Sequence, residues 1–407
     1  MKPTTDITSL REMKRQVLLL AIAQALFQTA SVLVMTIGAL AAANISGDPA
    51  LATVPIAAMF LGTAVLMFPA SAAMAKFGRR AGFVTGALLG TIGGVVGAAG
   101  IYVASLPLLS LGTFLVGAYQ AFAQFYRFAA SEVASDAFRP RAISLVLGGG
   151  IVAALLGPTL ARFGGPLLET RYAGSFLILA LLSLAAAGVL LAIRGNEKHA
   201  LQPDVANGRP WAEIVTQPAY LVALFGAVTG YGVMILAMTA TPIAMMHHHH
   251  ELSTASTVIQ FHVLGMFLPS FFTGSLIARF GTLRIMLTGL LLLTAHVFTT
   301  WTGTGFNSFA LALVLLGVGW NFLFIGGTSL LTTTYTPGER SRAQATNDMT
   351  IFAVGIACSF GAGPLLQRFG WQTLNGMLLP WLFAAVLMLL WFAARERRAA
   401  RDVAACS

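Results

Sequence analysis

Charge is what this chain has least of. Only 9% of its 407 residues are Asp, Glu, Lys or Arg, against about 25% in ordinary soluble domains. So few ions cannot hydrate the surface of a water-soluble protein of this size. With 57% of the residues hydrophobic, lipid is the solvent for most of the chain. Cysteine is nearly missing too. Cys358 and Cys406 are the only two, and they form neither a disulfide framework nor a C-x-x-C metal or redox motif. There is no G-x-x-x-x-G-K-[ST] segment, so direct drive by ATP is not expected. Gly148-Gly149-Gly150 lies in an apolar run, where close helix packing accounts for it better than phosphate binding. No enzyme signature appears. The formal charge of +10 invites a nucleic-acid reading. The Lys and Arg, however, fall in short clusters between apolar runs, which is the orientation signal of membrane proteins. A lipid bilayer is the expected partner, and nucleic acid is not.

What is present is a series of long apolar runs. The first follows Arg11, Lys14 and Arg15 and runs from about 16 to 43. That is too long for the 7–15-residue core of a cleaved signal peptide, so it reads as a retained span. At about 20 residues per crossing, twelve spans are predicted: 16–43, 51–73, 82–103, 105–127, 141–163, 172–194, 218–246, 254–277, 283–302, 306–334, 344–366 and 373–394. The longest polar connection, 195–217, separates an N-terminal six-helix half (1–194) from a C-terminal one (218–407). With both termini placed in the cytoplasm of a bacterial inner membrane, 21 of the 24 Lys and Arg, Arg127 among them, fall inside; only Arg162, Arg171 and Arg368 fall outside. A missed helix would scramble that asymmetry.

A short tag recurs four times: Ala75-Lys76-Phe77-Gly78, Ala161-Arg162-Phe163-Gly164, Ala278-Arg279-Phe280-Gly281 and Gln367-Arg368-Phe369-Gly370. Each closes the second helix of a three-helix block, and the tags alternate between the two sides. The expected fold is therefore all-α, with inverted three-helix repeats within each half. On this 6+6 layout and on Ser71-x-x-x-Ala75-Lys76-x-Gly78-Arg79-Arg80, the chain resembles the major facilitator superfamily over essentially its full length. It departs from that family's usual loop at Ser71, where a Gly is usual. It also departs at Ala75, in place of the Asp that serves the family's inter-helix charge latch. The second copy, Gly274-x-x-x-Ala278-Arg279-x-Gly281, restores the Gly and keeps the Ala.

Polar and soft groups inside spans are expensive, which makes them candidates for function. Met234-x-x-x-Met238 and His262-x-x-x-Met266 lie on neighbouring antiparallel helices, and spacing of four puts each pair on one face. Counting from the outer ends, Met238 and His262 are each roughly 12 Å deep and Met234 and Met266 roughly 18 Å. If the faces meet, three thioethers and one imidazole make a soft, neutral set suited to Cu(I) and poorly matched to Mg or Ca. Packing by Met and a hydrogen-bonding His are the ordinary alternatives. Above the pairs lies a second soft cluster, Met245, Met246, His247, His248, His249, His250 and Glu251, a candidate outer metal-capture station. The two pairs resemble the motifs of the CcoA-like copper importers of the same superfamily. That resemblance implies copper binding at Met234, Met238, His262 and Met266. It also implies uptake for cytochrome c oxidase assembly, while the sequence identifies neither a periplasmic copper donor nor a cytoplasmic acceptor. Copper would then be cargo, with no resident cofactor.

Asp348 is the one carboxylate placed inside a span. It is a candidate for proton coupling, or an interfacial group stabilised by Arg340 or Arg342. His296 is read as peripheral, and Tyr119, Gln120, Gln124, Tyr231, Gln260 and Asn321 as lining a cavity or bridging helices. The leading expectation is a secondary copper importer working by alternating access. The alternative is a transporter of drugs or small organic solutes. A non-transporting membrane sensor is a third class, disfavoured by the inverted repeats.

Overall fold

The computed structural model describes residues 4–47, 51, 54–194 and 209–406, and among them every regular element is a helix. In order these are α1 (Thr4–Ser46), α2 (Val54–Phe77), α3 (Arg79–Tyr102), α4 (Leu106–Ala123), α5 (Tyr126–Val133), α6 (Arg139–Gly148), α7 (Gly150–Gly164) and α8 (Ala173–Leu191). The second series is α9 (Trp211–Val215), α10 (Pro218–His247), α11 (Leu252–Phe267), α12 (Ser270–Phe280), α13 (Thr282–Thr300), α14 (Phe306–Leu331), α15 (Arg340–Gly376) and α16 (Leu379–Cys406). Most of the predicted central loop, 195–208 with Lys198, lies outside the described residues, as does Lys2.

Eleven helices among the described residues are long and apolar enough to cross a membrane, so the chain is a multi-pass membrane protein. The last of them, Arg340–Arg398, has 59 residues. Straight, it would measure roughly 88 Å, about three hydrocarbon thicknesses. It is not straight: Gly370 interrupts it with φ 76 and ψ 173, which separates the two predicted spans 344–366 and 373–394. Other predicted spans are broken differently. The fourth continues through a kink at 124–125 into α5. The fifth divides at Gly149, and the eighth divides at Leu268-Pro269. Starts are conventional. Ser105 accepts from the Leu108 amide (3.4 Å) with Pro107 in the first turn, and Pro218 opens α10.

The recurring tag is a structured turn. Gly78 (φ 89, ψ 157) and Gly281 (φ 86, ψ 152) adopt nearly the backbone of Gly370, a region open essentially to glycine alone. In each case the preceding cation lies over the next ring: Lys76 over Phe77 (5.2 Å), Arg279 over Phe280 (5.2 Å) and Arg368 over Phe369 (5.4 Å). The tag ending at Gly164 departs. It finishes α7 without a positive φ, and the left-handed residue comes later, at Tyr172 (φ 76).

The chain divides into two compact units. One comprises Met1–Asp136, Leu145–Asn207 and Gln344–Met349; the other comprises Ala137–Ser144, Gly208–Ala343 and Thr350–Ser407. In the first, α3 packs between α4 and α8, and α1 lies along α7 and α8. In the second, α14 is the hub, with α10, α11 and α13 packed on it. Gly317 lets α11 and α14 close up, since a Cβ there would stand 2.5 Å from the His262 carbonyl oxygen. Asn321 then joins them, donating to Met266 O and Ser270 Oγ (2.6 Å each) and accepting from Thr273 Oγ1 (2.7 Å). Asn321 thus bridges helices. The restored Gly274 has a similar reason: a Cβ would stand 2.5 Å from Pro140 O, and the Gly274 amide donates to Ser144 Oγ (3.0 Å).

The turn after α14 is held by an ion pair. Glu339, 3% exposed, accepts from Arg209 Nη2 (2.8 Å), Arg209 Nε (2.9 Å), the Arg209 amide (3.0 Å) and the Thr336 amide (2.9 Å). These donors, the guanidinium foremost, hold its carboxyl down at about 2.

Two outcomes test this architecture. Gly281→Ala should destabilise by about 1–3 kcal/mol through strain. Gly188→Ala, exposed and with no atom within 4 Å of the added Cβ, should gain about 0.5–1 kcal/mol from helix propensity. Equal thermal unfolding shifts in detergent would contradict the turn assignment. Because the Glu339 carboxyl lies below its unfolded value, the stability it adds is present above about pH 4.3 and fades as pH falls toward about 2. Glu339→Gln should therefore lower the unfolding temperature at pH 7, and the gap to the parent should narrow at pH 3.

Candidate functional site

Helices α10 and α11 carry the two Met/His pairs. Met234 and Met266 are buried, His262 is fully so, and Met238 is half-buried. The His262 Nδ1 lies 2.9 Å from the Leu313 carbonyl oxygen of α14. A carbonyl only accepts, so Nδ1 carries the proton and Nε2 presents its lone pair. That Nε2 is buried without a hydrogen-bond partner. A tethered Nδ1–H with a bare Nε2 is the tautomer a metal ligand requires. The partner helix differs from the expected one: α10 and α11 each pack chiefly against α14 and only sparsely against each other. No hydrogen bond among the described residues links the two pairs.

The outer cluster spreads apart. Met245 points inward and is fully buried, while Met246 is 57% exposed. His247, His248 and His249 are exposed, the last in a left-handed turn (φ 62). His250 is engaged with the Thr304 carbonyl oxygen (2.7 Å) and Phe309 (5.8 Å). Among the described residues no group of three or more His, Cys, Asp or Glu is arranged to hold a metal. His296 is not peripheral. It is fully buried, with Nδ1 2.8 Å from Ala312 O and Nε2 3.0 Å from Asn375 Oδ1, and it bridges α13, α14 and α15.

Asp348 has a partner that sequence position hid. In the first unit, Arg127 Nη2 donates to Asp348 Oδ1 at 2.5 Å, with the two side chains 3% and 1% exposed. Neither Arg340 nor Arg342 takes this role. Arg127 does not lie in a solvated connection, as the charge count placed it. It sits at the start of α5 inside the span Leu106–Val133, where Gln124 Oε1 accepts from its Nη1 (3.1 Å) and the Phe128 ring lies 4.7 Å from its guanidinium carbon. Asn347 Nδ2 also donates to Asp348 Oδ1 (2.8 Å), while Oδ2 is buried with no hydrogen-bond partner.

A second charged cluster replaces the missing Asp of the loop motif. Arg79 Nη2 donates to Glu132 Oε1 (2.5 Å) and to Gln344 Oε1 (2.7 Å), and its guanidinium lies over Phe125 (5.4 Å). With Ala at 75, the motif arginine finds its acid at the end of α5. Of the remaining polar candidates, Gln120 Oε1 accepts from Thr63 Oγ1 (3.2 Å), and Tyr119 is fully buried edge-on to Phe27 (5.0 Å). Gln260 is exposed.

Membrane-spanning helices with a buried ion pair among them are the frame of a membrane transporter rather than of an enzyme. The model of the Major Facilitator Superfamily matches residues 20–260 and 222–405, and the chain belongs to that family. It is 41% identical to the riboflavin transporter RfnT of Brucella anthropi, over 98% of this chain and 100% of the relative. It is 30% identical to the uncharacterized MFS-type transporter YddS of Bacillus subtilis, over 88% and 84% of the two chains. Among solved structures it is similar in fold to the proton:xylose symporter XylE, with TM-score 0.76, 14% identity and 94% and 96% of the chains covered. These relatives do not bear out membership of the copper-importing branch.

Removing one partner of a buried ion pair strands the other charge. Arg127→Ala should destabilise the protein by about 3–5 kcal/mol, and replacing both partners, Arg127→Met with Asp348→Leu, should recover most of it. Thermal unfolding of the single and double variants in detergent measures this, and a single variant as stable as the parent would contradict the pair.

Proposed function

We propose that this protein is a secondary transporter taking up a neutral planar organic solute of the riboflavin class across the cytoplasmic membrane. The observation that carries the reading is the 41% identity, over essentially both full lengths, to a riboflavin transporter. Side-chain chemistry supports it. Helices α10, α11 and α14 contain no Asp, Glu, Lys or Arg, which suits an uncharged cargo. In this reading Asp348 is the proton-coupling group: a buried carboxylate paired to Arg127 through one oxygen and bare at the other. Both termini lie in the cytoplasm, following the distribution of Lys and Arg; a reporter fused to the C-terminus checks that side.

A second reading, copper import, is favoured by one observation, the bare Nε2 of His262. In it Met234, Met238, His262 and Met266 hold Cu(I), with His247–His250 capturing the metal outside.

One experiment separates the two. A riboflavin-auxotrophic bacterium expressing the protein is assayed for accumulation of labelled riboflavin and, in parallel, of copper. Riboflavin uptake above the empty vector is expected, and Asp348→Asn should abolish accumulation against a gradient while leaving exchange. A well-expressed protein that moves no riboflavin, but accumulates copper in a way lost on His262→Ala or Met266→Ala, would replace the first reading with the second.

A further inference from the structure

Five aromatic rings from four helices form a continuous wall within the second unit. Phe267, at the end of α11, meets Trp320 of α14 edge-on, 5.9 Å between centroids. Trp320 stacks on Phe324 one turn along, at 4.9 Å and 15°. Phe324 lies 6.3 Å from Tyr231 of α10, and Tyr231 lies 5.6 Å from Phe352 of α15. Glycine sets the wall's shape. A Cβ on Gly355 would stand 2.7 Å from the Tyr231 ring, and one on Gly230 would stand 3.0 Å from Leu323 Cβ of α14. Trp320, Phe324, Phe352 and Phe267 are buried, whereas Tyr231 is half-buried, the most exposed ring of the five.

Apolar packing alone does not account for Trp320. Its indole N–H, a donor and never an acceptor, is buried with no hydrogen-bond partner. A buried donor left unmet is costly, and Phe would fill the same position without that cost. Other tryptophans of this unit are satisfied: Trp381 Nε1 donates to Thr229 Oγ1 (3.0 Å) and Trp301 Nε1 to Gln372 O (3.1 Å). A π surface with one unspent donor, carried by α10, α11 and α14, which have no charged side chain, and joined by Phe352 of α15, matches one ligand chemistry. That ligand is a neutral, flat, fused heteroaromatic ring with an acceptor on its edge.

We infer that this wall is the ring-binding subsite of the transporter. The flat ring of the substrate stacks along Tyr231, Phe324 and Trp320, and Trp320 Nε1 donates to a carbonyl on the ring edge. The inference rests on the riboflavin reading and adds to it which residues hold the isoalloxazine.

The test uses the full-length protein in lipid nanodiscs and the quenching of riboflavin fluorescence on binding. Trp320→Phe keeps the stack and removes the N–H, and should weaken binding about 10-fold. Tyr231→Leu should weaken it by about the same factor, and Tyr231→Phe should stay within about twofold of the parent. Lumichrome, the ring without its ribityl chain, should compete, and ribitol should not. Parent-like binding by both Trp320→Phe and Tyr231→Leu, with thermal unfolding showing them folded, would overturn the ring wall while leaving riboflavin transport standing. Competition by ribitol and none by lumichrome would do the same. A folded parent protein that binds no riboflavin would overturn both.

Discussion

Lipid offers no hydrogen bond to a peptide group, and the rest of this structure follows from meeting that demand internally. Long helices satisfy it by themselves, so the places that need explaining are where helices stop, kink or break. Each has its own device. Glycine in a backbone region closed to other residues turns the chain at Gly78, Gly281 and Gly370. Asn321 supplies donors to Met266 O and Ser270 Oγ beside the Pro269 break. Glu339 gathers the Arg209 guanidinium and two amides in the connection after α14.

Charge inside the spans obeys the same economy. Arg127 and Asp348 are both almost wholly buried, and either alone would be prohibitive. Together they join α5 to the segment Gln344–Met349, which groups with the first unit although the rest of α15 belongs to the second. Arg79, Glu132 and Gln344 form a second link to that segment. The reciprocal case is Ala137–Ser144, which groups with the second unit, where Ser144 bonds to Ser270 and Gly274. In the proposed function Asp348 is the group whose protonation would change what it holds together.

The fold was largely legible in the sequence because hydropathy and charge sidedness act on whole segments. The twelve spans survive, two of them within one continuous 59-residue stretch. The candidate site was less legible. A spacing of four shows that Met234 and Met238 share a helix face, and likewise His262 and Met266, but it cannot say toward which neighbour that face turns. His262 turns toward the Leu313 carbonyl of α14. Arg127 was counted among the solvated cations because a kink two residues before it cannot be read from composition. Tyr231 was legible as a group lining a cavity or bridging helices, but nothing in the sequence sets Trp320, Phe324 and Phe352 apart from other aromatic residues; only the adjacency of all four across three helices makes them a surface.

By itself, then, the sequence determined the solvent, the all-helical crossings and the turn tag, since each depends on local composition or on a residue's own backbone freedom. The tertiary structure decided the partners. It paired Arg127 with Asp348 over 221 positions, moved the loop arginine from a missing Asp to Glu132, and left His262 Nε2 and Trp320 Nε1 without protein partners. Those outcomes depend on the rotation of each helix about its axis and on which helices pack together, and neither is a property of any single segment.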